Sequence, residues 1–247
     1  MKDKRPDPKP RKYPHLWQAY LLWNELMQMK KCHTLRISSI EKGKSNLDAE
    51  YERLLMKATN IDALTCYAKK EMVAHGETVG PIWDWLIEIK GIGEHTAAKL
   101  IALFDTGQGV AGFATISKFW RFAGFAVSDG RAERNKKGEK SKFNRRLKSE
   151  CWLVGDNFIK QQTPGYVEIY YEEKARLRRL HPESEPTNGE SPWPEKWTDM
   201  HIHRMARRKM VKIFLSHFWV KWREFEGLSV SEPYVKAILG HTNIVEP

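Results

Sequence analysis

The order of apolar and polar residues divides the chain into a short tail, a helical arm and a larger helical body. Over residues 15–40, Leu16, Tyr20, Trp23 and Met27 recur at four-three-four spacing, with Leu22, Leu26 and Met29 in a neighbouring stripe. Two adjacent stripes make a wide apolar face, which suits a helix packed on two sides. The pattern breaks around Gly43. It predicts a second helix over residues 47–58, with Leu47, Tyr51, Leu54 and Leu55 inward, and a third that Asn60 can cap, through Ala63, Leu64, Tyr67 and Met72. Residues 15–78 therefore read as a helical hairpin or an antiparallel coiled-coil arm.

Gly80 and Pro81 reset the chain. Proline fits the first turn of a helix, where no N–H is needed, so PIWDWLIEI reads as a short helix. Further helices are predicted after Gly91-Ile92-Gly93, through Thr96, Ala97, Ala98, Leu100 and Ile101, and over residues 117–122. Another carries Phe143, Leu147, Cys151, Val154 and Phe158 on one face. The last two cover residues 166–180 and 199–224. Turn signals at Asp129-Gly130 and Gly138 allow a strand pair or an irregular loop. The four-proline segment 181–194 reads as a mobile loop. The expectation is an all-α protein with a basic disordered tail (1–14), the arm (15–78), a body (79–226) and a C-terminal extension (227–247).

Charge changes this picture. The 247 residues include 42 Lys and Arg against 31 Asp and Glu, a formal net charge of +11. A fold gains nothing from such self-repulsion, so a polyanionic partner is expected, nucleic acid first and an anionic membrane surface second. No apolar run reaches the ~18 residues of a membrane span, and no signal-peptide core follows the N-terminus. Cys32, Cys66 and Cys151 are sparse and lack metal-ligand spacing, which points to a reducing cytoplasm. No membrane partner and no cofactor are expected.

Three segments carry the candidate chemistry. The first is IKGIGEHTAAKLI, a helix-hairpin-helix pattern. Gly91 and Gly93 let the backbone turn tightly and approach a phosphate. The following helix offers free N–H groups and its positive end near Thr96, and Lys99 adds charge one turn on. The bland alternative is a tight turn that binds nothing. The second is segment 131–148, where Arg131, Arg134, Lys136, Lys137, Lys140, Lys142, Arg145, Arg146 and Lys148 face only Glu133 and Glu139. So one-sided a run favours phosphate contact over a merely solvated loop. The third is the last helix. Ile202, Ala206, Met210, Ile213 and His217 share one face, and Arg204, Arg207, Arg208 and Lys212 the other.

His201 and His203 open that helix. Their spacing is a weak metal signal, because the side chains project roughly 200° apart on a helix; a phosphate or base contact, or a surface cap, fits better. His217 reads as a core residue. Most tryptophans read as core, whereas Trp193 and Trp197 flank the loop and are able to stack on a base. No phosphate-binding glycine loop, no cluster of His, Asn and Cys and no convergent set of carboxylates is present, so no nuclease or nucleoside-triphosphatase site is expected.

Four ordered runs, IKGIGEHTAAKLIALFDTG, FATISKFWRFAGFAVSDG, KGEKSKFNRRLKSECW and HIHRMARRKMVKIFLSHFWVKWRE, together resemble a known group. They are similar to the C-terminal half of bridge-RNA insertion-sequence transposases and to the Nop domain of box C/D ribonucleoprotein core proteins. The group joining these features is the Tas family of tandem-interspaced-guide-RNA systems. The resemblance spans residues 15–225. It implies a dimerising coiled-coil arm and a Nop-like helix-hairpin-helix body that grips guide RNA, with target DNA reached through RNA pairing. Gly91, Gly93, Thr96, segment 131–148, Arg204, Arg207 and Arg208 would then lie on the RNA side. Many relatives carry an N-terminal metal-dependent nuclease domain. Here only a tail and an arm precede the hairpin, which implies a member without its own nuclease, able to recruit one, in a prokaryotic or phage-infected cytoplasm.

Two other readings stand beside this one. The transposases use a serine after an Ala-Gly-hydrophobic segment as a nucleophile. Ala123-Gly124-Phe125 precedes Ser128 at shorter spacing, so a serine-dependent recombinase fragment is the enzymatic alternative, against a plain turn serine. A structure-directed DNA binder using the glycine hairpin is the third.

Overall fold

The computed structural model describes residues 10–128, 131–134, 138–183 and 197–230, for Ser128 and Arg131 the backbone alone. Among the described residues the protein is almost entirely helical, as the periodicity predicts. A minimal antiparallel hairpin, β1 (Val127–Ser128) and β2 (Arg131–Ala132), lies at the site of the predicted turn.

Helix α1 (Pro14–Glu41) begins on a proline, which lacks only an N–H that a first turn leaves unpaired. Residues 11–13, just before it, are anchored, in contrast to the free tail expected there. The Tyr13 N–H donates to Asp105 Oδ2 at 2.9 Å, and Lys12 pairs with Glu226 at 2.6 Å. The Arg11 guanidinium lies 3.9 Å from the Trp17 ring centroid. Asp105 is fully buried and also accepts the Gly107 and Gly109 N–H groups, so one carboxylate ties the N-terminal segment to the turn after α5. Residues 1–9 lie outside the described part.

The outer half of α1 packs against α2 (Ala49–Ala58) and α3 (Ile61–Glu77). Asp48 caps α2 by accepting the Glu50 and Tyr51 N–H groups. Asn60 stands at the start of α3 as predicted, but with a left-handed backbone and no capping bond from its side chain. The orientation of α2 corrects the sequence reading. Leu47, Tyr51, Leu54 and Leu55 face outward, with Tyr51 and Leu54 each 60% exposed. Glu52 is the buried residue of α2, and it accepts from Arg36 at 2.9 Å and lies 2.6 Å from His33 Nδ1. Periodicity finds residues that share a face; it does not say which face meets the neighbour.

The body contains α4 (Pro81–Glu88), α5 (Glu94–Phe104), α6 (Ile116–Phe122), α7 (Arg145–Gln161), α8 (Tyr166–Leu180) and α9 (Asp199–Phe225). Helices α5 and α9 form its centre. Every residue from Ala97 to Phe104 is buried, and α9 buries Ile202, Ala206, Met210, Phe214, Phe218 and Trp222 along one side. Phe104 stacks on Phe119 at 3.8 Å and meets Phe113 and Phe218 edge-on. The Trp219 indole donates to the Phe113 carbonyl at 2.8 Å, which satisfies its polar atom inside the core. Leu16, Ala19 and Tyr20 of α1 and Met72 of α3 join the same core, so the root of the arm is continuous with the body. Helices α7 and α9 cross at Gly155, where a Cβ would lie 2.7 Å from Val211 Cγ2. His217 is a satisfied core residue, 2.9 Å from the Tyr166 hydroxyl. No helix among the described residues is long and apolar enough to cross a membrane.

Candidate nucleic-acid interface

The glycine turn between α4 and α5 packs against the protein itself. Gly91 has φ +96°, in the left-handed region that favours glycine. A Cβ there would meet Thr163 Oγ1 at 3.3 Å and Phe158 Cδ1 at 3.4 Å. Thr163 Oγ1 donates to the Lys90 carbonyl and Asn157 to the Gly91 carbonyl, so the end of α7 closes over the turn. The glycine at position 91 thus lets the end of α7 approach the turn closely on the side where a Cβ would stand. Gly93 is exposed and open around its Cα, and it starts α5 without a side-chain cap. Thr96 is half-buried in the first turn, where Glu94 places an acidic group.

Lys99, expected to add charge for a phosphate, points inward. It is 7% exposed, its Nζ lies 2.5 Å from Glu150 Oε2, and it covers the Trp23 ring at 5.3 Å. A helix buried on every side has no surface on which to present a lysine.

The cationic side of α9 carries the strongest cluster. Arg204 is exposed with no ion pair among the described residues. Arg207 bonds to Asp156 and lies 4.4 Å over Trp152, so it is committed within the protein. Arg208 donates to the Phe125 and Ala126 carbonyls at 2.7 and 2.9 Å, anchoring the segment that enters β1. Lys212 Nζ sits 4.0 Å over the Trp120 ring, whose indole N–H donates to the Lys212 carbonyl.

Segment 131–148 divides between two sides of the body. Lys148 donates to the Glu133 carbonyl at 2.9 Å and covers Phe143 at 4.3 Å. Burial is the main cause lowering the pKa of Lys148, and Arg208 and Arg134 lower it further. Burial likewise lowers Lys212, assisted by Arg208. Burial first, then Arg134 and Arg204, lowers His201, and burial, Lys174 and Arg204 lower His203. These mutual effects require close neighbours. They set Arg134, Arg204, Lys148, Arg208 and Lys212 near one another across α9, the segment after β2 and the start of α7, with His201 and His203 disfavoured as cations among them. Glu133 is the acidic group set among them; it attracts Lys148 and Arg208 and stands 4.0 Å from Arg121.

Lys140, Lys142 and Arg145 are exposed between these elements, Arg145 one turn before Lys148. Arg146 turns the other way, toward Tyr20 on α1. Lys136 and Lys137 lie outside the described residues, as does the Arg131 side chain, whereas the Arg131 backbone pairs with Ser128. The side chain of Ser128 also lies outside them, as do Trp193 and most of segment 181–194.

The two histidines that open α9 part company. His203 Nδ1 is 2.8 Å from the Tyr170 hydroxyl, while His201 meets the Trp197 ring edge-on at 4.7 Å. Trp197 stacks on His181 at 3.5 Å, so it packs against protein rings. Sequence reading missed the role of Trp120, which bears Lys212 on its ring. It also missed a groove between α1 and α7, lined by Tyr20, Trp23, Asn24, Lys31 and Arg146 among others. Its one visible signal is Asn24, a polar residue inside the apolar stripes of α1. No family model, no curated protein and no solved structure matches the chain.

Proposed function

We propose that this chain is a guide-RNA-binding protein of an RNA-guided DNA-targeting system. Base pairing by the RNA reads the target, and the protein holds the ribose-phosphate backbone, a division of labour known from other RNA-guided effectors. The observation that carries the nucleic-acid part is the cationic side of α9: Arg208 at the Phe125 carbonyl, Lys148 against the adjoining Gly124, Lys212 over Trp120, and the exposed Arg134 and Arg204. Such clustering of like charge costs stability unless a polyanion neutralises it. The four-segment resemblance supports guide RNA as that polyanion. Exposed Cys32 and Cys66 suit a reducing cytoplasm.

The arm belongs to the same proposal. The outward apolar face of α2, with Leu64 and Tyr67 of α3, is a surface for a second copy of the chain. A second reading, a structure-directed DNA binder, draws on the open, uncapped start of α5 at Gly93.

Sequencing the nucleic acid that co-purifies with the chain tests the proposal. A discrete small RNA of uniform ends is expected. Equal capture of duplex DNA and structured RNA favours the second reading, and the absence of any bound nucleic acid contradicts both.

A further inference from the structure

The groove between α1 and α7 lies apart from the cations of α9. Its wall is one face of α1, from Tyr20 to Leu35. At about 1.5 Å per residue this face runs on the order of 20 Å. The groove is open to solvent along its length and has a volume of about 540 Å³, inside the roughly 300–1,000 Å³ of small-molecule sites.

Three features of the groove are unexplained by the fold. Asn24 is 9% exposed, lines the groove, and its side chain makes no hydrogen bond among the described residues. Its amide is open to the solvent of the groove, where it is free to bond an occupant. Trp23 is only partly buried, with Lys99 over its ring and His95 against its edge. Lys31 and Arg146 stand on opposite walls, and Lys31 has no ion pair among the described residues. The acidic group of the groove, Glu150, is neutralised by Lys99, and Lys30 by Asp62. The free charge facing the groove is therefore positive.

We infer that this groove binds an unpaired nucleotide of a single strand, its base held by Asn24 and Trp23 and its phosphate between Lys31 and Arg146. An amide presents one acceptor and two donors in a plane, which matches the hydrogen-bonding edges of a base. Such an edge is free only in an unpaired nucleotide, and its ring face then stacks on an aromatic side chain. The inference rests on the proposed nucleic-acid function and deepens it: the α9 cations hold backbone, and the groove selects strand over duplex.

The test uses the full chain and a fluorescent oligonucleotide of about eight nucleotides, in RNA and DNA forms, beside a blunt duplex. Asn24→Leu is expected to melt no lower than the wild type, because an unpartnered amide is replaced by an apolar group of similar size. It is expected to bind the single strand about tenfold more weakly and the duplex unchanged. Lys31→Glu is expected to weaken the single strand and flatten its salt dependence. The RNA and DNA forms report whether the sugar is read. If both variants bind the single strand like wild type while Arg204→Glu weakens all probes, the groove assignment fails and the proposed function stands. If the wild type binds no probe, both fail. If Asn24→Leu changes only the molar mass in light scattering, the groove seats a second copy of the chain and the inference is overturned.

Discussion

Lys99 Nζ and Glu150 Oε2 lie 2.5 Å apart across the contact of α5 and α7, with the Trp23 ring beneath the ammonium. Both side chains are largely shielded from water, so each charge depends on the other. Removing one leaves an uncompensated buried charge, at about 3 kcal/mol, the lower end for a broken buried pair. Lys99→Met is therefore expected to lose about that much in urea unfolding. Lys99→Met with Glu150→Leu is expected to recover most of it. The same Lys99→Met chain, where folded, is expected to keep its affinity for duplex nucleic acid. A large loss of affinity with unchanged stability would restore Lys99 to the binding surface.

The outer face of α2 gives a prediction about assembly. Tyr51 and Leu54 are exposed on an amphipathic helix whose polar Glu52 points inward. Replacing both by Asp adds charge at solvent-facing positions and should leave monomer stability within about 0.5 kcal/mol. Light scattering is expected to show a dimer for the wild type and a monomer for the double variant. An identical mass for the two removes α2 from any interface.

His95 gives a prediction about pH. Its Nε2 is buried without a hydrogen-bond partner among the described residues, and its ring meets Trp23 edge-on at 4.6 Å. Burial, then Lys99 and Lys69, push its pKa down from 6.5 to about 4. The folded state thus resists a proton that the unfolded chain accepts. Stability is expected to fall as pH drops from 6.5 toward 4 and to stay flat with respect to this group above 6.5. His95→Phe is expected to flatten that slope in denaturant titrations across the same window. An unchanged slope assigns the acid sensitivity to other groups.

Much of the fold is legible in the sequence, because it rests on local rules. The helix predicted over residues 166–180 is α8, and the face of Leu147, Cys151, Val154 and Phe158 is buried in full. Pro81 starts α4 as predicted. What sequence leaves open is which partner each face meets. Glu52 turns inward because His33 and Arg36 of another helix await it. Lys99 turns inward because α5 is apolar all round, a signal present in Ala97-Ala98 and Leu100-Ile101-Ala102-Leu103-Phe104. The basic run 131–148 reads as one patch, yet the start of α7 sends Arg146 toward α1 and Lys148 toward α9. Residues two apart on a helix project about 200° from one another, so Arg146 and Lys148 meet different neighbours.

Convergence of cations along α9 is the claim on which the functional proposal stands, and Arg134 and Arg204 test it best. Both are exposed and without ion pairs among the described residues, so Arg134→Glu with Arg204→Glu leaves the core intact. The direct measurement is RNA affinity against salt concentration for wild type and double variant. A surface that grips phosphates predicts a large loss of affinity and a log–log salt slope reduced by about 0.7 for each contact removed. Equal affinities and parallel salt slopes would contradict it.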